Sequence, residues 1–181
     1  MRPVIMWDVD DVLNWCERRG HKPPYCGCAR HAGWVKRRIS TRSGMVITVH
    51  VDPANGPKIR HQAEASDAGL AWFTSWQDEA NRDISPLLHL PELEVIPFPP
   101  WPGSQQGHPG HGTWKGWCLT RWAARDGRPF LLYDDDAPAI AEVVASVPPY
   151  PVQPYKLVHV DPATALTDEH LAEGAAWLAS L

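Results

Sequence analysis

Short apolar runs separated by polar, turn-forming clusters recur along the chain, and their lengths sort them into strands and helices. Residues 3–7 are apolar, β-branched or aromatic and stop at Asp8, which predicts a short buried strand. Met45 to Val51 predicts a second strand running into an Asp52-Pro53 turn. Leu70 to Phe73, Glu94 to Phe98, Pro129 to Tyr133 and Tyr155 to Val160 predict four more. Between these runs the period lengthens. Lys58 to Ala68, Trp114 to Arg125 and Ala137 to Ser146 read as helices, as does Thr167 to Leu181 behind a threonine N-cap. Thr74 and Gln77 have the spacing of a capping box, which predicts a further helix to about Leu88. Residues 19–33 and 99–112, rich in Gly, Pro and His, read as loops.

Strands that alternate with helices imply a parallel sheet covered on both faces. Right-handed crossovers then wind it into an α/β, three-layer, doubly wound (Rossmann-like) sandwich. Ligands gather at the carboxyl ends of such strands. Three of the six expected strands end there in distinctive polar chemistry: Asp8 to Asp10, Thr74, and Asp134 to Asp136. The hexapeptide Val-His-Val-Asp-Pro-Ala occurs at 49–54 and again at 158–163. Each copy reads as a strand end entering an Asp-Pro turn, and the flanks do not repeat, so no duplication is implied.

The length of 181 residues fits one domain, and 19 Pro with 10 Trp suggest rigid irregular loops around an aromatic-rich interior. No run reaches the roughly 18 to 20 apolar residues of a membrane span, and the N-terminus lacks a charged stretch followed by a long apolar one. A cytoplasmic protein with no membrane partner is expected. Cys16, Cys26, Cys28 and Cys118 are too few for a disulfide scaffold and read as reduced thiols. Cys16, His21, Cys26, Cys28 and His31 could supply four zinc ligands, but Cys-x-Cys is not the usual zinc knuckle spacing.

Charge is unevenly distributed. The formal net charge is −4, yet eight of the 17 Lys and Arg (Arg18, Arg19, Lys22, Arg30, Lys36, Arg37, Arg38, Arg42) fall between Glu17 and Arg42, where Glu17 is the only acidic residue. Such a segment is either a solvated loop or a contact for a polyanion, with Arg18, Arg19, Arg37 and Arg38 as phosphate-backbone contacts. Trp114, Trp117, Cys118 and Trp122 lie near one helix face and read as core in preference to a base-stacking platform.

Asp8 and Asp10 lie on one side of an extended chain and repel each other unless a cation or a shared proton compensates. If the Asp134 to Asp136 triplet converges on them, the result is an oxygen-only pocket suited to Mg²⁺. Thr74 at a helix N-terminus would offer a hydroxyl and backbone N–H groups to a phosphate, and Lys115 would supply positive charge for phosphoryl transfer. Taken one at a time, the same residues also read as turn aspartates, a plain helix cap and a solvated surface lysine.

Asp8-Val9-Asp10-Asp11-Val12-Leu13-Asn14 resembles the first motif of the haloacid dehalogenase (HAD) superfamily. Leu70-Ala71-Trp72-Phe73-Thr74-Ser75-Trp76 resembles the second, Lys115 suits the third, and Asp134-Asp135 suits the fourth, in the right order. The wider text, including Thr-Ser-Trp-Gln-Asp-Glu-Ala-Asn and Phe-Leu-Leu-Tyr-Asp-Asp-Asp, is similar to the small HAD group associated with RNA-repair proteins. The resemblance spans about residues 4–178. It implies that Asp8 is a nucleophile forming an aspartyl-phosphate and that Asp10 is the general acid and base. It further implies Mg²⁺ held by the Asp8 carboxylate, the Asp10 carbonyl and Asp135 with Asp134 assisting. Thr74 and Lys115 would hold the phosphoryl group, with Ser75 as a further substrate contact. Asp11 stands where relatives often carry glycine.

Residues 15–69 between the first two motifs hold a basic loop and a strand, an insertion at about 15–57, with too little periodic structure for a large cap domain. An open site suits a bulky substrate. The leading expectation is a single-domain, Mg²⁺-dependent phosphatase of phosphate monoesters, with RNA or DNA ends as one substrate class. The alternatives are a small-metabolite or nucleotide phosphatase, and a non-catalytic nucleic-acid-binding module built on the basic segment.

Overall fold

The computed structural model describes residues 1–15, 33–99 and 110–181. In chain order its elements are β1 (Val4–Trp7), β2 (Val35–Ser40), β3 (Val46–Val51), α1 (Asn55–Ala65), β4 (Gly69–Trp72), β5 (Glu94–Val95), α2 (His111–Asp126), β6 (Phe130–Asp134), α3 (Ala137–Ser146), β7 (Tyr155–His159) and α4 (Asp168–Leu178). Five of the strands form one sheet in the order β5-β4-β1-β6-β7, and every pairing in it is parallel. The chain builds outward from β1 through β4 and β5, then crosses to β6 and β7 on the other side. The direction of winding therefore reverses between β1 and β6, where a ligand crevice opens at the strand ends in such sheets.

Period-two alternation along the strands separates two cores. Ile5, Trp7, Trp72, Leu131 and Tyr133 pack in one cluster with Ile59 and Ala63 of α1 and Leu178 of α4. Val4, Met6, Ala71, Phe130 and Leu132 pack in the other with Cys118, Leu119 and Ala123 of α2 and Ile140 and Val144 of α3. Helices thus cover both faces, and the three layers follow from strands apolar on both sides. Trp7 stacks on Tyr133 with ring centroids 4.2 Å apart, and the buried tyrosine hydroxyl is bonded to Gln62. Trp114, Trp117 and Trp122 lie half-buried against the second cluster, as the helix periodicity predicts. Burial pushes the Cys118 thiol up to about 12, so it stays protonated. Among the described residues no helix is long and apolar enough to cross a membrane.

The expectation of six strands in one sheet is corrected to five. The segment expected as the second of them, β3, instead pairs antiparallel with β2, a strand that lies inside the basic segment. In β2 only Ile39 is buried, so three consecutive exposed basic residues erase the alternation that announces a strand. Val49 and Val51 of β3 still join the first core cluster.

The helix expected from Thr74 does not form. Gln77 takes φ +51°, a left-handed conformation that interrupts a right-handed helix. Its side chain donates to the Thr74 carbonyl at 2.6 Å and accepts from the Phe98 N–H at 3.0 Å, so no capping box exists. The chain continues instead through a π-helical turn, Ala80–Ile84, and a 3-10 turn, Ser85–Leu88. Asn81 ties this irregular stretch to the sheet: its Oδ1 accepts from the Trp72 indole at 2.8 Å and the Leu93 N–H at 2.9 Å.

Other boundaries move by a few residues. α1 begins at Asn55 rather than Lys58, behind a turn in which Asp52 accepts the Ala54 N–H at 2.9 Å. Asp161 accepts the Ala163 N–H at 2.8 Å in the second copy of the hexapeptide, the same turn used twice. α2 starts at His111, three residues early. α4 starts behind Thr167, and its capping box is completed by His170, whose Nδ1 accepts the Thr167 N–H at 3.1 Å.

Candidate active site

Register brings the carboxylates together. Trp7 pairs with Tyr133, and the Asp8 N–H donates to the Tyr133 carbonyl at 3.1 Å, so Asp8 and Asp134 stand side by side as their strands end. Trp7 and Tyr133 both point to the α1/α4 core, and alternation therefore turns Asp8 and Asp134 to the α2/α3 side. Lys115 comes down from α2 between them. Its Nζ is 2.8 Å from Asp8 Oδ2 and 3.0 and 2.9 Å from the two oxygens of Asp134. Lys115 is 1% exposed, Asp8 3% and Asp134 0%, so the expected surface alternative for the lysine does not apply.

Two glycines let α2 come close enough for this. A Cβ on Gly112 would lie 2.7 Å from the Ala139 Cβ, and one on Gly116 would lie 2.6 Å from the Val143 Cβ. They are one turn apart and flank Lys115 on the side that meets α3. Gly116→Ala is expected to destabilise the protein by about 1–3 kcal/mol, overpacking outweighing the gain of up to about 1 kcal/mol in helix propensity. Urea denaturation measures the loss, and Val143→Ala in the same chain should recover part of it.

The electrostatics of the triad are unequal. Burial works against the charge on Lys115, but Asp134 and Asp8 outweigh it and hold the ammonium above the ordinary lysine range. Burial pushes the Asp134 carboxyl up, Lys115 opposes this and Asp8 reinforces it. One ammonium compensates only one of the two carboxylates in full, so the other is balanced by a further cation or by a proton. Asp134 Oδ1 also accepts the Asp136 N–H at 2.8 Å. Asp8, Asp134 and Asp135 offer one oxygen each, all within 4.8 Å of one another, and all three residues are buried.

Asp10 stands apart from that cluster. Its Oδ1 accepts from Asn14 Nδ2 at 2.8 Å and its Oδ2 from the Trp76 indole at 3.0 Å. Asp11 adopts φ +60°, a left-handed backbone conformation that favours glycine. Thr74, buried, follows β4 beside β1, and its Oγ1 accepts the Trp76 N–H at 3.4 Å. It sits in a turn and not at a helix N-terminus, so the expected helix N–H groups are not there to meet a phosphate. Ser75 beside it is exposed.

Of the basic contacts expected from the sequence, Arg37 and Arg38 are exposed on β2 and, as neighbours in a strand, point to opposite faces. Arg18 and Arg19, and the zinc candidates Cys16, His21, Cys26, Cys28 and His31, lie outside the described residues. Sequence reasoning assigned no role to Asn14 or Trp76, although both lie within the quoted motifs. It also missed His111, whose Nδ1 is 3.7 Å from Asp136 Oδ2 beside the carboxylates. A groove of about 830 Å³ between α1 and α4 is lined by Lys58, His61, Leu171 and Ala175 among others, and by none of the residues of the carboxylate site. In comparisons with protein-family models, curated proteins and solved structures, no match to this chain was found.

Proposed function

We propose that this chain is a phosphomonoester hydrolase of the haloacid dehalogenase type, working through an aspartyl-phosphate on Asp8. The observation that carries the reading is the buried lysine bonded to both Asp8 and Asp134, with Asp135 within ligand distance of them. Three points widely spaced in sequence, Asp8, Lys115 and the pair Asp134-Asp135, meet at the winding reversal of a parallel sheet. A structural role alone would be served by an apolar core.

In the proposed reaction an Asp8 carboxylate oxygen attacks phosphorus in line, and the bond from phosphorus to the ester oxygen breaks. Asp10 gives that oxygen its proton, so an alcohol leaves. Asp10 then takes a proton from water as the water oxygen attacks the same phosphorus. The phosphorus–Asp8 bond breaks, inorganic phosphate departs, and both carboxyl groups return to their starting state. Lys115 holds Asp8 by Oδ2 and keeps its charge against the transferring group, and the Thr74 hydroxyl, at the end of the strand next to β1, would add a hydrogen bond to it.

A hard divalent cation fits the donor set, because Asp8, Asp134 and Asp135 supply oxygen only and their net charge exceeds what Lys115 offsets. Mg²⁺ held there, with Asp135 as the ligand least engaged by Lys115, would neutralise phosphoryl charge as it develops. The substrate class proposed is the phosphorylated end of a nucleic acid, supported by the basic residues clustered after the nucleophile and by exposed Arg37 and Arg38.

The test is a screen in Mg²⁺ of sugar phosphates, nucleotides and oligonucleotides carrying 3′- or 5′-phosphate. Turnover of oligonucleotide ends is expected. Turnover confined to small esters would redirect the substrate class, and no turnover of any ester would contradict the phosphatase reading.

A further inference from the structure

Two arginines of α2 stand outside everything described so far. Arg121 and Arg125 are exposed, and among the described residues neither pairs with a carboxylate. Both are nevertheless directed. The Arg121 guanidinium lies over the Trp117 ring, 4.8 Å from its centroid, and Arg125 Nε donates to the Arg121 carbonyl at 3.1 Å. Their neighbour Arg128 differs, because Asp126 and Glu94 already offset its charge.

The same two arginines line a pocket of about 380 Å³ between α2 and residues 97–99, with Pro97, Phe98 and Trp122 among its walls. The aromatic walls are held in place. Phe98 meets Phe73 and Trp114 edge to face, at 4.7 and 5.1 Å, and Trp122 meets Phe130 in the same way at 5.6 Å. Asp126 is the one carboxylate in the lining, and Arg128 engages both its oxygens, at 2.5 and 2.9 Å. The pocket therefore combines aromatic and proline surface with two uncompensated cations. A base fits the first and a phosphodiester group the second.

The pocket also has a direction. His111, Trp114, Cys118, Arg121 and Arg125 recur at intervals of three or four residues, so they share one face of α2. That face begins beside the carboxylates, where His111 Nδ1 is 3.7 Å from Asp136 Oδ2. With a rise of about 1.5 Å per residue, Arg121 and Arg125 stand about 9 and 15 Å beyond Lys115 along the helix. A strand whose phosphorylated end lies at Lys115 can follow this face away from the site.

We propose that the groove along α2 holds the last few nucleotides of a single-stranded nucleic acid, with Arg121 and Arg125 on its phosphodiester groups and a base between Phe98 and Trp122. The inference rests on the phosphatase reading with a nucleic-acid end as substrate. It adds a binding site for the body of the strand, on the side of the sheet that α2 covers.

The experiment measures binding by fluorescence anisotropy of a labelled single strand of about 10 nucleotides carrying a terminal phosphate. It uses the full chain with Asp8→Asn in Mg²⁺, so that the end is not consumed. Arg121→Ala with Arg125→Ala is expected to weaken binding about 10-fold or more and to reduce the slope of log affinity against log salt by about 1.4, the share of two phosphate contacts on a single strand. Replacing both by lysine keeps the charges and should keep the slope, which a merely structural role would not predict. Arg60→Ala, the loss of one charge on α1 across the sheet, serves as the control and should change affinity less than about 2-fold.

Unchanged affinity and slope in the double alanine variant, or a loss as large in Arg60→Ala, would overturn the groove inference and leave the phosphatase reading to stand on wild-type turnover. Inorganic polyphosphate of equal charge binding as tightly as the strand would also overturn it, because the walls would then be recognising no base. Arginine-dependent binding of the strand by a wild type that turns over no ester would overturn the phosphatase reading and support the groove alone.

Discussion

Lys115→Met is expected to lower the stability of the fold by about 3–5 kcal/mol, the usual cost of stranding a buried charge by removing its partner. Methionine matches the lysine chain as far as Cε and leaves out the nitrogen, so the loss reports chiefly on the ammonium. Two carboxylates, at 3% and 0% exposure, would be left facing each other without their cation. Asp134 bears most of the effect, because both its oxygens are bonded to Lys115 at 3.0 and 2.9 Å and burial already pushes its carboxyl up. Urea denaturation followed by tryptophan fluorescence measures the change. Adding Asp134→Asn to Lys115→Met should return part of the loss, since the stranded charge is then removed as well. A loss below about 1 kcal/mol would mean that the lysine is not the counter-ion of a dry cluster.

Asp8→Asn is expected to reduce turnover by about four orders of magnitude or more, the scale on which loss of a nucleophile acts. The amide is nearly isosteric and keeps the carbonyl oxygen that Lys115 can hold, yet it cannot form an acyl phosphate. Stability should move the other way. Removing one of two carboxylates around a single ammonium relieves repulsion, so the urea midpoint is expected to hold or rise. Lost turnover in a chain at least as stable as the wild type separates a chemical role from a folding role. Retained turnover would assign the reaction to another group.

The sequence carried some of this architecture openly. β1 and β6 were recognisable because strands buried on both faces read as unbroken apolar runs, and each run stops at an aspartate. α3 was recognisable over its full length, Ala137–Ser146, because its period and its proline near the start agree. β2 was hidden, since Lys36, Arg37 and Arg38 are exposed and a two-stranded ribbon needs little burial to persist beside a core. The expected helix after Thr74 failed for a reason that no pattern shows. Gln77 has an ordinary helix propensity, and only its bonds to the Thr74 carbonyl and the Phe98 N–H hold it left-handed.

The site divides in the same way. Asp8, Asp10 and Asp134 could be singled out because several carboxylates clustered at strand ends repel one another unless a cation or a proton compensates them. Lys115 could be suggested by order and charge, but its burial could not, because that depends on Gly112 and Gly116 meeting α3. Asn14 and Trp76 give no local sign of their bonds to Asp10. They reach Asp10 through loop closure and through a turn from the neighbouring strand, contacts that exist only in the folded chain.

The proposed chemistry depends on Asp8 as the group that bonds to phosphorus. During turnover of a phosphate ester, rapid denaturation and peptide mass spectrometry should find one phosphoryl group on the peptide containing Asp8, labile to hydroxylamine, in the wild type and not in Asp8→Asn. A turning-over wild type with no phosphoryl group on that peptide, or with one on a different residue, would contradict it.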